Sequence, residues 1–339
     1  MFNARNYKVG LTIDNVETCD FNSMKSMTNE EILKMGRGEE DSRLLGFITK
    51  KMKIHNRFWA TKEQDALDLA RQAIKKLVEK DSSLLQEAEF LILAGISNPM
   101  PTVCTAALLA GEFGFKNTSC WDIKSGCSTG VLAVMQALDW FQNGAKKGVI
   151  VCTETFSKFT NSEILQMAVS IGDGACAMSV SADESMEVLG AVHGTDAEYL
   201  KTMYVPGKYP IDKENYDPSQ YHFHFAQKSD SLEKMAHYWQ QSLVDLMETS
   251  GIKGSDVSHY ISHQVDGSKN LMFAKSQGIP EESVALNFTE YGNMGCPTIF
   301  INYHFWQNAG KTIKPGEVVV FHAVGGGLSW AGLCQRRKK

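Results

Sequence analysis

No window of the 339 residues approaches the run of about 20 apolar residues that a membrane-spanning helix requires. The start of the chain does not read as a secretory signal either, because Met1 to Gly10 has no apolar stretch behind its charges. Neither a Cys-x-x-Cys pair nor a His-Glu-x-x-His occurs, so the usual spacings of a metal site are missing. Positive charge is not in excess: 34 Lys and Arg against 39 Asp and Glu leave a net charge of −5, which disfavours a nucleic-acid partner. The basic tail Arg336-Arg337-Lys338-Lys339 reads as a solvated terminus. Eight cysteines are scattered, several inside apolar runs such as Val149-Ile150-Val151-Cys152, and read as reduced, buried thiols. These absences leave a globular protein of the cytoplasm with no metal or resident cofactor, long enough for two domains.

What is present is an alternation of short apolar runs with helical patterns, the mark of an α/β protein. Phe90 to Ala94, Gly148 to Thr153 and Ala175 to Val180 read as buried strands. Val131 to Phe141 reads as a helix holding one charge, Asp139, and so buried nearly all round. Gln64 to Lys80 is amphipathic, with Ala66, Leu67, Leu69, Ala70, Ala73, Ile74 and Leu77 on one side. The rhythm repeats further on: a helix over Leu232 to Thr249, a strand over Val257 to Ile261, and a helix over Lys269 to Gln277. A final pair of strands, Glu317 to His322 and Leu328 to Gln335, flanks Gly325-Gly326-Gly327. Two similar α/β halves, 1–185 and 186–339, suggest an internal duplication. Tyr204 to Gln227, rich in Tyr and His, reads as a long insertion of the kind that covers a site or moves.

The chemistry centres on Gly126-Cys127-Ser128-Thr129-Gly130. A strand-like run, Cys120 to Ile123, meets a Gly-flanked cysteine just before the buried helix, the layout of a nucleophile elbow with sulfur in place of oxygen. The helix N-terminus is expected to favour a thiolate and lower its pKa. A lone cysteine is more often a small core residue; this context is what argues otherwise. A cysteine nucleophile needs a proton-transfer partner and a place for an oxyanion. His263, straight after a strand, and Asn293, in the turn Tyr291-Gly292-Asn293-Met294-Gly295, stand where ligands collect in α/β proteins. The three glycines at 325–327 let backbone approach a substrate and expose an N–H. Gly172-Asp173-Gly174 reads as a structural turn.

At these residues the sequence resembles the thiolase superfamily, and within it the β-ketoacyl-ACP synthase III family. The segments that carry the resemblance are Asp122-Ile-Lys-Ser-Gly-Cys127, Ile171-Gly-Asp-Gly174, Ser262-His-Gln264, Tyr291-Gly-Asn293 and Val324-Gly-Gly-Gly-Leu-Ser-Trp330, from about Ile54 onward. The resemblance implies a five-layered αβαβα fold of two duplicated halves and a homodimer. It further implies that Cys127 takes an acyl group from acyl-CoA or acyl-ACP. His263 and Asn293 then bind the thioester carbonyl of a second, malonyl-type substrate, whose decarboxylation drives a Claisen condensation. The oxyanion is expected on backbone N–H groups of Cys127 and of Gly326 or Gly327.

Departures from the family pattern fall around its CoA site. Phe47 stands where the family has a tryptophan that stacks on adenine, Lys51 in place of a nearby arginine, and Leu165 in place of the arginine across the ring. Val265-Asp266-Gly267-Ser268 replaces the housekeeping Ala-Asn-Leu-Arg. These changes favour a carrier-protein donor or a specialised pathway. Met100 occupies the place of a dimer-crossing Phe that bounds the acyl pocket, and a flexible Met suits an unusual or longer acyl chain. Ordinary interface packing would explain it equally.

A papain-like protease would also use Cys, His and Asn, but its local cysteine motif is absent. A true thiolase would use a second cysteine in a Cys-Gly-Gly-Gly context, which Cys296 lacks. Type III polyketide synthases are longer, and a silent partner subunit would not keep all three polar residues. The alternative within enzymes is a non-decarboxylative acyltransferase that makes an ester or amide.

Overall fold

A computed structural model describes residues 3–4, 7–37, 41–161, 168–225 and 230–339. Ten strands form two five-stranded sheets: β1 (Asn3–Ala4), β2 (Gly10–Thr18), β3 (Phe90–Ala94), β4 (Ser119–Ile123), β5 (Lys147–Glu154), β6 (Gly174–Asp183), β7 (Met186–Thr195), β8 (His259–Ser262), β9 (Val318–Gly325) and β10 (Ser329–Arg337). The first sheet runs β2-β6-β5-β3-β4 and the second β1-β7-β10-β9-β8. In each, two parallel strands (β5 with β3, β9 with β8) lie beside an antiparallel pair (β5 with β6, β9 with β10). The first sheet adds β4, parallel to β3. Its counterpart in the second sheet is reduced to a single parallel bridge between Tyr260 and Val284.

Six helices matter for the site: α1 (Ala66–Lys80), α2 (Thr105–Phe113), α3 (Thr129–Gln142), α4 (Ser231–Ser250), α5 (Gly267–Ser276) and α6 (Pro297–Asn308). Helix α1 starts where its sequence dictates. Asp65 caps it by accepting from Leu67 and Asp68 N–H, Asp68 answers on the Asp65 N–H, and the seven expected apolar residues are buried. Helices α1 and α2 cover the outer face of the first sheet, and α4 and α5 that of the second. Between the sheets lie α3 and α6, sharing one core of Val131, Val134, Leu138, Ile299, Phe300 and Tyr303 with both. A helix sandwiched between sheets must be apolar all round, which is why Val131 to Phe141 carries so little charge. The layers are therefore α, β, α, β, α, as expected. Among the described residues, no helix is long and apolar enough to cross a membrane.

The core strands appear within three residues of their expected bounds. Strand β2 near the start of the chain was not legible, because the register shift at Asp14 breaks its apolar-polar alternation. The insertion over Tyr204 to Gln227, of which 226 and 227 lie outside the described residues, is clasped by a two-residue pairing of Met203–Tyr204 with His224–Phe225.

Candidate active site

Strand β4 delivers the chain to Ser125-Gly126-Cys127, and α3 begins two residues later with Ser128 as its cap. Gly126 adopts φ +57, and a Cβ there would stand 2.5 Å from the Gly326 carbonyl oxygen, so only glycine fits. Thr129 Oγ1 accepts from Ser125 N–H at 2.8 Å, and Ser128 Oγ lies 2.8 Å from Ser329 Oγ on β10. The glycine turn closes over the cysteine: a Cβ on Gly325 would lie 2.4 Å from Cys127 N. The backbone N–H of Gly326 meets the Cys127 sulfur, whereas Gly327, with φ +77, lies against Leu200.

Cys127 is 4% exposed, and its thiol is pushed up to about 12. Burial is the main cause and the nearby Glu154 charge adds to it; the backbone of Gly326 and of Cys127 itself pulls the other way. This overturns the expectation of a lowered value. A rise from 9.0 to about 12 is roughly 4 kcal/mol against ionisation, whereas a helix N-terminus is worth at most ~2 kcal/mol in favour. Without substrate, Cys127 is a thiol.

His263 leaves the end of β8, its N–H bonded to the His322 carbonyl at 2.8 Å. Its ring is fully buried and stacks on Trp239 (6.2 Å, 27°), and neither ring nitrogen has a partner at hydrogen-bonding geometry. Burial lowers its pKa to about 3, with the Gly295 backbone acting weakly in the opposite direction, so the imidazole is neutral at physiological pH. Asn293 is fixed by its backbone, which bonds Ser170 O (2.6 Å) and Gly172 N (3.0 Å). Its Oδ1 accepts from Gly295 N–H at 2.9 Å, which leaves Nδ2 as a donor. His263 and Asn293 thus meet at Gly295, the residue before Cys296. Cys296 in turn lies beside Cys127 and gives its thiol to Ala94 O (3.3 Å) and Glu154 Oε1 (3.6 Å).

Glu154 was not foreseen. It ends β5 fully buried, accepting from Ile96 N–H and Ser97 N–H (both 2.9 Å) and from Ser97 Oγ (2.5 Å). Burial raises its carboxyl to about 7. A charged residue closing the run Val149 to Thr153 was the available signal. Phe156 continues the wall and meets Phe223 of the insertion edge-on (5.4 Å, 88°); Met203 lies against Gly326, whose Cβ would come within 3.3 Å of it. The insertion therefore reaches the site at both ends. Asp173 accepts from Ala60 N–H, Ser157 N–H and Ser157 Oγ, a structural clasp as expected of its turn.

The other residues singled out lie further away. Phe47, 53% exposed, and the exposed Lys51 sit on Ser42–Phe47 and the turn Ile48–Met52, which packs near Gly267 at the start of α5. Asp266 caps α5 through Ser268 and Lys269 N–H, which gives the altered run after His263 a local structural purpose. Met100, 37% exposed, follows β3 in a loop whose Ile96 and Ser97 are held by Glu154. Leu165 lies outside the described residues.

Residues 121–197 match the family model described as 3-Oxoacyl-[acyl-carrier-protein (ACP)] synthase III, and 247–337 the one for its C-terminal part. A relative named β-ketoacyl-[acyl-carrier-protein] synthase III from Caldanaerobacter subterraneus is 26% identical over 312 residues, covering 91% of this chain and 92% of the relative. The crystal structure of 3-oxoacyl-[acyl-carrier-protein] synthase III from Aquifex aeolicus superimposes with a TM-score of 0.81 at 24% identity, covering 96% of this chain and all of that one. Xanthomonas campestris OleA shares the fold at a TM-score of 0.81 and 19% identity, over 98% and 99% of the two chains.

Proposed function

The chain is a member of the 3-oxoacyl-[acyl-carrier-protein] synthase III family, and on that footing we propose how its residues divide the chemistry of an acyl-transferring condensing enzyme. Cys127 attacks the carbonyl of an acyl-CoA or acyl-ACP thioester. The new thioester forms on Sγ, and the donor thiolate leaves with the proton the cysteine gives up. The developing oxyanion is held by the N–H groups of Cys127 and Gly326. A malonyl-type thioester then enters, with its carbonyl oxygen on His263 and Asn293 Nδ2. As CO₂ departs, the enolate forms against these two neutral donors, its α-carbon attacks the acyl carbonyl, and the Cys127 thiolate leaves and is reprotonated. A neutral imidazole suits this role, because the enolate gains stabilisation only as its charge develops.

The observation that carries the reading is the convergence at Gly295 and Gly326. Gly295 gives its N–H to Asn293 Oδ1 and has its backbone near the His263 ring, and the backbone of Gly326 lies near the Cys127 sulfur. Intact-mass spectrometry after incubation with acyl-CoA or acyl-ACP tests it: an acyl adduct is expected on the wild type and none on Cys127→Ala. An adduct of the same mass on Cys127→Ala defeats the scheme.

We propose further that the unpaired edge strand β4, with Ser119 and Asp122 exposed, pairs with the same strand of a second copy. Met100 would then meet the partner's site. The exposed Phe47 and Lys51 are placed to receive the donor's carrier, CoA or ACP, at the entrance. The scheme calls for no metal or resident cofactor and fits a cytoplasmic enzyme. We place the division of the two halves at 185/186; the strand bounds, β6 ending at Asp183 and β7 starting at Met186, support this.

A further inference from the structure

At the far end of α6 from Cys296, between the starts of β2 and β9 and the end of β10, lies a cavity of about 320 Å³. That is the lower end of the range small-molecule sites occupy. One wall is aromatic: Tyr303 and Trp306 stack at 5.1 Å, with Phe321 beside them. Two strands are irregular at this spot. The β2–β6 register shifts between Ile13 and Asn15, at Asp14, and the β10–β7 register shifts between Cys334 and Gln335. Bulges re-aim side chains, and both Asp14 and Gln335 line the cavity.

Gln335 is only 1% exposed. Its Oε1 accepts from Leu11 N–H at 3.0 Å, which leaves Nε2 as the donor end of the amide. An amide donor on a residue that lines a cavity can meet an acceptor placed there. Lys311 and Arg337 add positive charge at the lining, and Asp14, held by Ser181 Oγ at 2.6 Å, adds one negative charge. We infer that this cavity binds a small monocarboxylate with an apolar body. The carboxylate sits on Gln335 Nε2 between Lys311 and Arg337, and the body lies along Tyr303 and Trp306. Asp14 turns away a ligand with a second negative charge. The site stands apart from Cys127 and does not depend on the reading of the catalytic residues.

Isothermal titration of the full chain with octanoate, octanol and the dicarboxylate suberate tests the inference. Saturable octanoate binding is expected, with octanol and suberate at least about tenfold weaker, a difference of about 1.4 kcal/mol. Lys311→Glu, a surface change, and Gln335→Leu should each weaken octanoate about tenfold while leaving acyl-adduct formation on Cys127 intact. Two results overturn the site: no saturable octanoate binding by the wild type, or equal binding by the wild type and both variants. The second would place the fatty acid elsewhere, such as in the acyl pocket.

Discussion

The two central helices begin alike and end up doing different things. Gly126-Cys127-Ser128-Thr129 opens α3, and Gly295-Cys296-Pro297-Thr298 opens α6. Both glycines have positive φ, +57 and +67. Each threonine Oγ1 accepts from the N–H two residues before the cysteine, Ser125 at 2.8 Å and Met294 at 3.1 Å, and each threonine N–H returns to the glycine carbonyl at 3.2 Å. Both thiols are pushed up to about 12 by burial. The difference is what lies over the sulfur. Cys127 faces the glycine turn and its N–H groups; Cys296 is sealed and donates to the Ala94 carbonyl and Glu154. A helix N-terminus and a Gly-Cys turn are thus common to both cysteines, and what sets Cys127 apart is the glycine turn over its sulfur, the surrounding that an oxyanion would need.

Substitutions at paired positions can break that comparison. Cys127→Ala should lower condensation by about 10⁴-fold or more, whereas Cys296→Ala should change it less than about tenfold. Steady-state assays with matched donors decide this, and equal losses would make the two turns functionally equivalent. His263→Ala and Asn293→Ala should keep the acyl adduct yet lose condensation by about 10²–10³-fold, the usual cost of removing one such donor. Because His263 is neutral above about 3, wild-type condensation should show no histidine titration between pH 6 and 8.

Glu154 sharpens the contrast through pH. Its folded pKa, about 7, lies above its ordinary 4.5, so the protonated form is the one folding favours. Its contribution is complete below pH 4.5 and is lost as pH rises through 7. Relative to Glu154→Gln, the wild type should therefore lose up to about 3 kcal/mol of stability between pH 4.5 and 8. Urea unfolding of both proteins across that range reads the difference; a flat difference would mean the carboxyl is already ionised at low pH. Gly325→Ala should cost about 1–3 kcal/mol, since its Cβ has nowhere to go beside Cys127 N, and thermal unfolding should show it. The smallest effect is expected from Thr129→Val and Thr298→Val, about 1 kcal/mol each. Similar losses from the two would support the internal duplication.

The strands Phe90–Ala94 and Gly174–Asp183 and the helices α1 and α3 could be read from the chain because burial imposes period and composition on local sequence. Cys127, His263, Asn293 and the glycine turn could be read as candidates because each sits at the end of such an element. The reduced strand at Val284 could not, since one bridge leaves no pattern. Glu154 left one sign, a charge closing an apolar run, but its partners Ile96 and Ser97 are more than fifty residues away.

The sequence alone determined the α/β class, the apolar central helix and the candidates for the reactive groups, all marked by adjacent residues. What lies over each of the two Gly-Cys turns was decided only by the tertiary structure. So were the direction of the Cys127 pKa and the neutrality of His263. Each depends on how much water and which backbone groups surround a single atom, and those arrive from strands and loops far along the chain.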